Sequence, residues 1–207
     1  DGIQLESLTS SSINGNSINN CEAISLFESS DVTVEDNTLV DSKWGIYIEN
    51  SISLAISNNN ICNASIDGIQ LRDAALSSIM GNSIQNCVES AIYLLDSSHD
   101  VTVKANTLVD SKWGVRSEST TSIVVSNNTK ILRFHYLTHP AIALWHSINV
   151  TVDDNTLVKI VYGIYSENAT SLDISNNTIS NASIDGIHLK SSTSSSISGN
   201  SIQRSGI

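Results

Sequence analysis

The sequence predicts an all-β chain wound as a right-handed parallel β-helix (a β-solenoid) of about nine coils, each made of three short strands. Three observations predict it. The pattern Gly-Ile-x-Leu, with Ala sometimes replacing Gly, returns every 20 to 23 residues. Apolar and polar residues alternate in short runs, the period of a strand with one buried face. One Asn stands at the same offset in each coil, from Asn16 to Asn200. A unit this short cannot bury its apolar side alone, so successive units must stack.

The elements follow in order along one coil. The first strand opens on a small residue and continues as Ile24-Ser25-Leu26 or Ile46-Tyr47-Ile48, with the aliphatics inward. A second alternating run follows eight to ten residues later, as at Val32/Val34, Ile56, Val101/Val103 and Val150/Val152. A third, very short strand centres on Ile18, Leu39, Ile61, Ile84, Leu108, Leu157, Ile179 and Ile202. Between the second and third strands stand Asn16, Asn37, Asn59, Asn82, Asn106, Asn128, Asn155, Asn177 and Asn200. Coils stack ~4.8 Å apart, so these amides can donate and accept along the axis as a ladder.

Another column, of small residues, precedes the next coil: Cys21, Ser42, Ala64, Cys87, Ser111, Ala182 and Ser205. It reads as an inward-pointing corner where Cys acts as a small hydrophobe. A disulfide is not expected, because Cys21 and Cys87 lie three coils apart, roughly 14 Å at the strand spacing. No CxxC or His/Cys cluster points to a metal, and no cofactor is expected. Coils also match in sets of three, as from internal duplication. The coil over 114–140 breaks the pattern. It is longer and carries Arg133-Phe134-His135-Tyr136-Leu137-Thr138-His139-Pro140, with the expected loop at 129–140.

The 207 residues read as a single solenoid, 1–207, with 21 acidic against 10 basic side chains and a net charge of −11. That balance argues against nucleic acid, which is held by Lys and Arg, and no segment is apolar enough for membrane insertion. Abundant Ser, Thr and Asn suggest an extracellular or cell-surface location. Asn-x-Ser/Thr sequons occur at Asn63, Asn127, Asn149, Asn168, Asn176 and Asn181, but in so Asn-rich a chain they carry little weight. The chain opens on Asp-Gly-Ile and stops on Ser-Gly-Ile, the same point of the coil. It is therefore expected to be an excised or processed part of a longer protein, or to self-associate through uncapped ends.

The Gly-Ile-x-Leu, Asn and Ile columns resemble the parallel β-helix repeat family across the whole chain. That family includes pectate-lyase-like polysaccharide enzymes, mannuronan epimerases, the periplasmic copper-maturation repeat proteins of nitrous oxide reductase, and many surface proteins. The resemblance implies that any substrate would lie along the outer face of the first sheet. The epimerases' Asp-Pro-His-Asp motif is absent, as is a cluster resembling the lyases' calcium-binding acids, so the resemblance does not imply catalysis.

Aromatic and charged residues concentrate on that outer face, whereas the second strands show mostly Ser, Thr, Asn and Asp. Trp44, Tyr47, Asp67, Tyr93, Trp113, Trp145, Tyr162 and Tyr165 are candidates for sugar contact, with rings stacking on C–H faces and the acid accepting hydroxyl protons. Arg133 and Tyr136 join them from the long loop. His135, Arg116, Glu118 and Glu167 are candidates for acid–base chemistry. The same Trp residues could instead pack on a neighbouring turn, and the loop could be a scar of duplication. The first reading is therefore a non-catalytic extracellular scaffold that stacks into filaments. The alternative is a carbohydrate-binding or polysaccharide-modifying module, and a flat antifreeze-type face is disfavoured by the lack of regular Thr ranks.

Overall fold

Alternating aliphatics give the chain one apolar edge per strand, and the computed structural model, which describes residues 2–132 and 139–203, shows how those edges meet. The described residues form three nine-stranded parallel sheets and no helix. The first sheet runs from Ile3–Glu6 to Asp185–Lys190, the second from Ser12–Asn14 to Ser196–Ser198, and the third from Ser17–Asn19 to Ser201–Gln203. Each strand pairs with its equivalents one coil below and above. Ile3, Ile24, Ile46, Ile69 and Ile92 are thus direct partners in one vertical file. Most inward side chains of the interior coils are fully buried, and each such Ile or Leu contributes roughly 1.5–3 kcal/mol.

The asparagine ladder is continuous from Asn16 to Asn200. Asn106 illustrates its chemistry. Its Nδ2 donates to the carbonyls of Ile79 (2.9 Å) and Lys104 (3.1 Å) and to Asn128 Oδ1 (2.9 Å). Its backbone N–H also donates to Asn128 Oδ1, and its own Oδ1 accepts the equivalent pair of bonds from Asn82. A second ladder was not expected from the sequence. Ser29, Ser51, Ser98, Thr120 and Ser147 are buried at the corner after the first strand. Ser51 Oγ accepts the Ser29 N–H, and Ser117, Thr120 and Ser147 bond one another inside the core.

The corners explain the sequons. Asn63, Asn127, Asn149, Asn168, Asn176 and Asn181 all have φ between 53° and 58°, a left-handed conformation that Asn tolerates better than most residues. The next residue turns inward, and except at Asn149, which lies inside the strand Ile148–Asp153, the following Ser or Thr begins or approaches the next strand, so the tripeptide is a product of the turn itself.

The long coil departs from expectation in two places. Thr129–Ile131 is a strand of the third sheet and Pro140 already opens the strand Pro140–Trp145, so the extra residues are confined to 132–139 rather than 129–140. Between Leu108 and Leu157 the third-strand core file holds Lys130, only 1% exposed. Its Nζ donates to the Ser111 carbonyl at 2.8 Å. In regular coils that corner carbonyl takes a backbone N–H from the next turn, as Ser42 does from Ser65 and Ile160 from Ser183. At Ser111 the Lys130 ammonium donates to that carbonyl from inside the core. Burial lowers its pKa to about 7, partly opposed by Cys87 and Asp110.

Candidate functional site

Sheet register decides which outward side chains meet. Tyr93, Arg116, Ala143, Tyr165 and His188 form one vertical file on the first sheet, and Leu95, Glu118, Trp145, Glu167 and Lys190 form the next. The files lie roughly 7 Å apart, since alternate residues of a strand share a face. At the corner before the strand, Ser90 pairs with Trp113 and Pro140 with Tyr162, which pairs with Asp185.

Large groups fill these files except at Ala143, fully buried among its neighbours. Beside it lies a groove of about 390 Å³ lined by Trp113, His139, Pro140, Trp145, Tyr162, Tyr165, Asp185 and His188. Trp113 meets His139 edge-on with centroids 4.4 Å apart, Trp145 lies 6.1 Å from Tyr165, and Tyr165 stacks on His188 at 5.3 Å. The Arg116 guanidinium sits 4.3, 4.9 and 5.4 Å from the rings of Tyr93, Trp113 and Trp145, which makes it the hub of the aromatic wall.

The acids of this face are already engaged. Glu118 Oε2 accepts from Arg116 Nη2 (2.9 Å) and from the Tyr93 hydroxyl (2.9 Å). Glu167 accepts from Lys190 Nζ (2.6 Å) and from the Tyr165 hydroxyl (2.8 Å). The Lys190 bond chiefly holds the Glu167 pKa down, and the same pair raises that of Lys190. Burial, helped by the bond to Glu118, raises Tyr93 well above the ordinary phenol value. His139 is lowered, first by burial and then by Lys112. His188 Nδ1 lies 2.9 Å from Asp185 Oδ2, which orients the imidazole with Nε2 directed away from that carboxylate.

Of the residues singled out from the sequence, Tyr93, Trp113, Arg116, Glu118, Trp145, Tyr162, Tyr165 and Glu167 gather on this stretch of the face. Trp44 and Tyr47 form a separate cluster with Phe27 nearer the first coil, with centroids 5.2 and 5.8 Å from Tyr47. The Tyr47 hydroxyl donates to Glu49, and burial pushes its pKa up to about 12. Asp67, considered as an acceptor for sugar hydroxyls, is only 3% exposed, and its Oδ1 takes the Ser90 N–H at 2.7 Å. Desolvation raises its pKa, and its bonding is turned to the backbone rather than the solvent. Arg133, His135 and Tyr136 lie outside the described residues. Asp185, which the sequence places one coil after Tyr162 as a carboxylate beside an aromatic ring, lines the groove, and His188, not selected from the sequence, lines it too.

Among solved structures the chain is similar to a periplasmic alginate epimerase, AlgG, with a TM-score of 0.76 and 16% identity over 87% of this chain and 49% of that one. It is also similar to the enzymatically active domain of tailspike protein 2 of bacteriophage CBA120 (TM-score 0.66, 9% identity, 90% of this chain and 38% of that one). A third is an exopolygalacturonase from Thermotoga maritima (TM-score 0.62, 14% identity, 86% and 54%). The chain thus spans between about two fifths and a little over half of those proteins, and at such identities the likeness is one of fold. No curated protein matches the sequence. The family described as "Periplasmic copper-binding protein (NosD)" matches residues 1–138 and 114–207, which together cover every coil, so the chain belongs to that family of parallel β-helix repeats.

Proposed function

We propose that this chain is a carbohydrate-binding β-helix of the secreted or envelope compartment, and that the groove beside Ala143 is its sugar site. The observation that carries the reading is the combination of four aromatic rings (Trp113, Trp145, Tyr162 and Tyr165) with the Asp185–His188 pair around one groove of about 390 Å³. Rings cover sugar C–H faces, and the polar pair fixes hydroxyls. The structurally similar alginate epimerase and exopolygalacturonase, whose names specify polysaccharide chemistry, support it, as does the family's periplasmic description. Binding is favoured over turnover because Glu118 and Glu167 are tied into ion pairs. A general acid needs a proton near neutral pH, and the ion pair holds Glu167 the opposite way.

Copper appears in the family's description, but the described residues of this chain do not fit a copper centre. No three His, Cys, Asp or Glu side chains gather to hold a metal ion among them. No part of the reading runs through the metal.

The test is a glycan array probed with the wild type and with Trp145→Ala and Tyr165→Ala. The reading expects at least one oligosaccharide class to bind and each variant to weaken it about tenfold or more, the equivalent of ~1.4 kcal/mol. No binding at all, or binding unaffected by both variants, refutes it.

A further inference from the structure

The charge around the groove narrows the sugar class, an inference that rests on the sugar-binding reading above. Every described cation near this stretch of the first sheet already faces a carboxylate. Arg116 is paired with Glu118 at 2.9 Å, Lys112 with Glu89 at 2.9 Å, Lys190 with Glu167 at 2.6 Å, and Arg72 with Asp96 at 3.2 Å. The rings of Tyr93, Trp113 and Trp145 also surround the Arg116 guanidinium, which leaves little of its planar face for another anion. Burial and the Lys112 charge favour the neutral form of His139. Asp185 places a carboxylate in the lining itself, and the whole chain carries −11.

A uronate polymer brings one carboxylate per sugar into this setting. Each would lose hydration and meet Asp185, Glu167 or Glu118, and among the described residues no cation of the face lacks an acidic partner of its own. An uncharged sugar meets only the favourable parts: ring faces for its C–H surfaces, the Asp185 carboxylate and the tyrosine oxygens for its hydroxyls. We propose that the groove selects uncharged oligosaccharides and discriminates against uronate polymers, unlike the alginate epimerase and exopolygalacturonase that share its fold.

Matched ligands test this directly. Hexamers of galacturonate, mannuronate and glucuronate are compared with their carboxyl-reduced counterparts, in which each carboxylate has become a primary alcohol while linkage and length are unchanged. Calorimetry on the whole chain, at low and at 0.5 M salt, reads the affinity of each pair. The proposal expects a reduced hexamer to bind about tenfold or more tighter than its uronate parent at low salt. The gap should narrow at high salt, where charge repulsion is screened. Asp185→Asn should narrow it as well, by improving uronate binding. A uronate that binds as tightly as its reduced partner, or more tightly, overturns the selectivity while leaving sugar binding intact. If neither form of any pair binds, and the glycan array also yields no hit, the sugar-binding reading itself fails and the selectivity with it.

Discussion

Lys130→Leu should stabilise this protein at neutral pH. The ammonium occupies a core position between Leu108 and Leu157, so leucine suits the file on both sides. The fall in its pKa from 10.5 to about 7 corresponds, at 1.36 kcal/mol per pKa unit, to a cost of about 4–5 kcal/mol for carrying the proton in the folded state. Replacement removes that cost but strips the Ser111 carbonyl of its 2.8 Å donor, a loss of roughly 1–3 kcal/mol. The net expectation is a gain of about 2 kcal/mol at pH 7. The sign with pH is fixed by linkage. Between about 7 and 10.5 the unfolded lysine holds more protons than the folded one, so wild-type stability rises with pH across that window. Below it the full penalty remains, and above it lysine is neutral in both states. Cys87 and Asp110, the groups acting on Lys130, are common to both proteins, so their direct contribution largely drops out of the difference. Urea unfolding of both proteins at pH 6 to 11 measures it. The advantage of Lys130→Leu should be greatest near pH 6–7 and vanish or reverse by pH 11. A variant less stable than wild type at pH 7, or an advantage independent of pH, refutes the argument.

Two further outcomes bear on the coil. Asn106→Ala removes a side chain that donates to Ile79, Lys104 and Asn128 and accepts twice from Asn82, so it should lower stability by about 3–5 kcal/mol. Asn16→Ala, at the open end of the ladder, should cost less than half as much in the same denaturation assay. Gly68→Ala would bring a methyl to 2.6 Å from the Ala91 carbonyl oxygen and 2.5 Å from Ile84 Cγ2, and thermal melting should show a loss of about 1–3 kcal/mol. An unchanged melting temperature would mean that the coils can separate there at little cost.

Much of the fold was legible because a solenoid repeats each physical requirement in every coil. Ile at one file position, Asn at the ladder and a small residue before the first strand are visible without any knowledge of long-range contacts. Legibility ended where the requirement was met once only. Lys130 stands at an apolar position between Leu108 and Leu157 and donates to one corner carbonyl, that of Ser111, and no periodic pattern announces a bond made in a single coil. The buried hydroxyls of Ser117 and Thr120 satisfy each other, which the presence of serine in a serine-rich chain cannot reveal. The face of the candidate site was legible, since outward residues follow from alternation. Its groove was not, because the lining is drawn from four successive coils, from Trp113 to His188, and alternation along one strand does not show which of those side chains enclose a space. Asp67 shows the converse: a carboxylate beside aromatic residues reads as a ligand contact until burial and the Ser90 N–H bond account for it.

The central claim, that sugars bind in the groove lined by Trp113, Trp145, Tyr162 and Tyr165, is tested most directly by tryptophan fluorescence during titration with an oligosaccharide that binds on the array. The chain has three tryptophans, and Trp44 lies in the separate cluster with Tyr47. The account predicts a saturable spectral change that persists in Trp44→Phe and is lost in the double variant Trp113→Phe/Trp145→Phe. A change that disappears with Trp44 and survives the double substitution would contradict it.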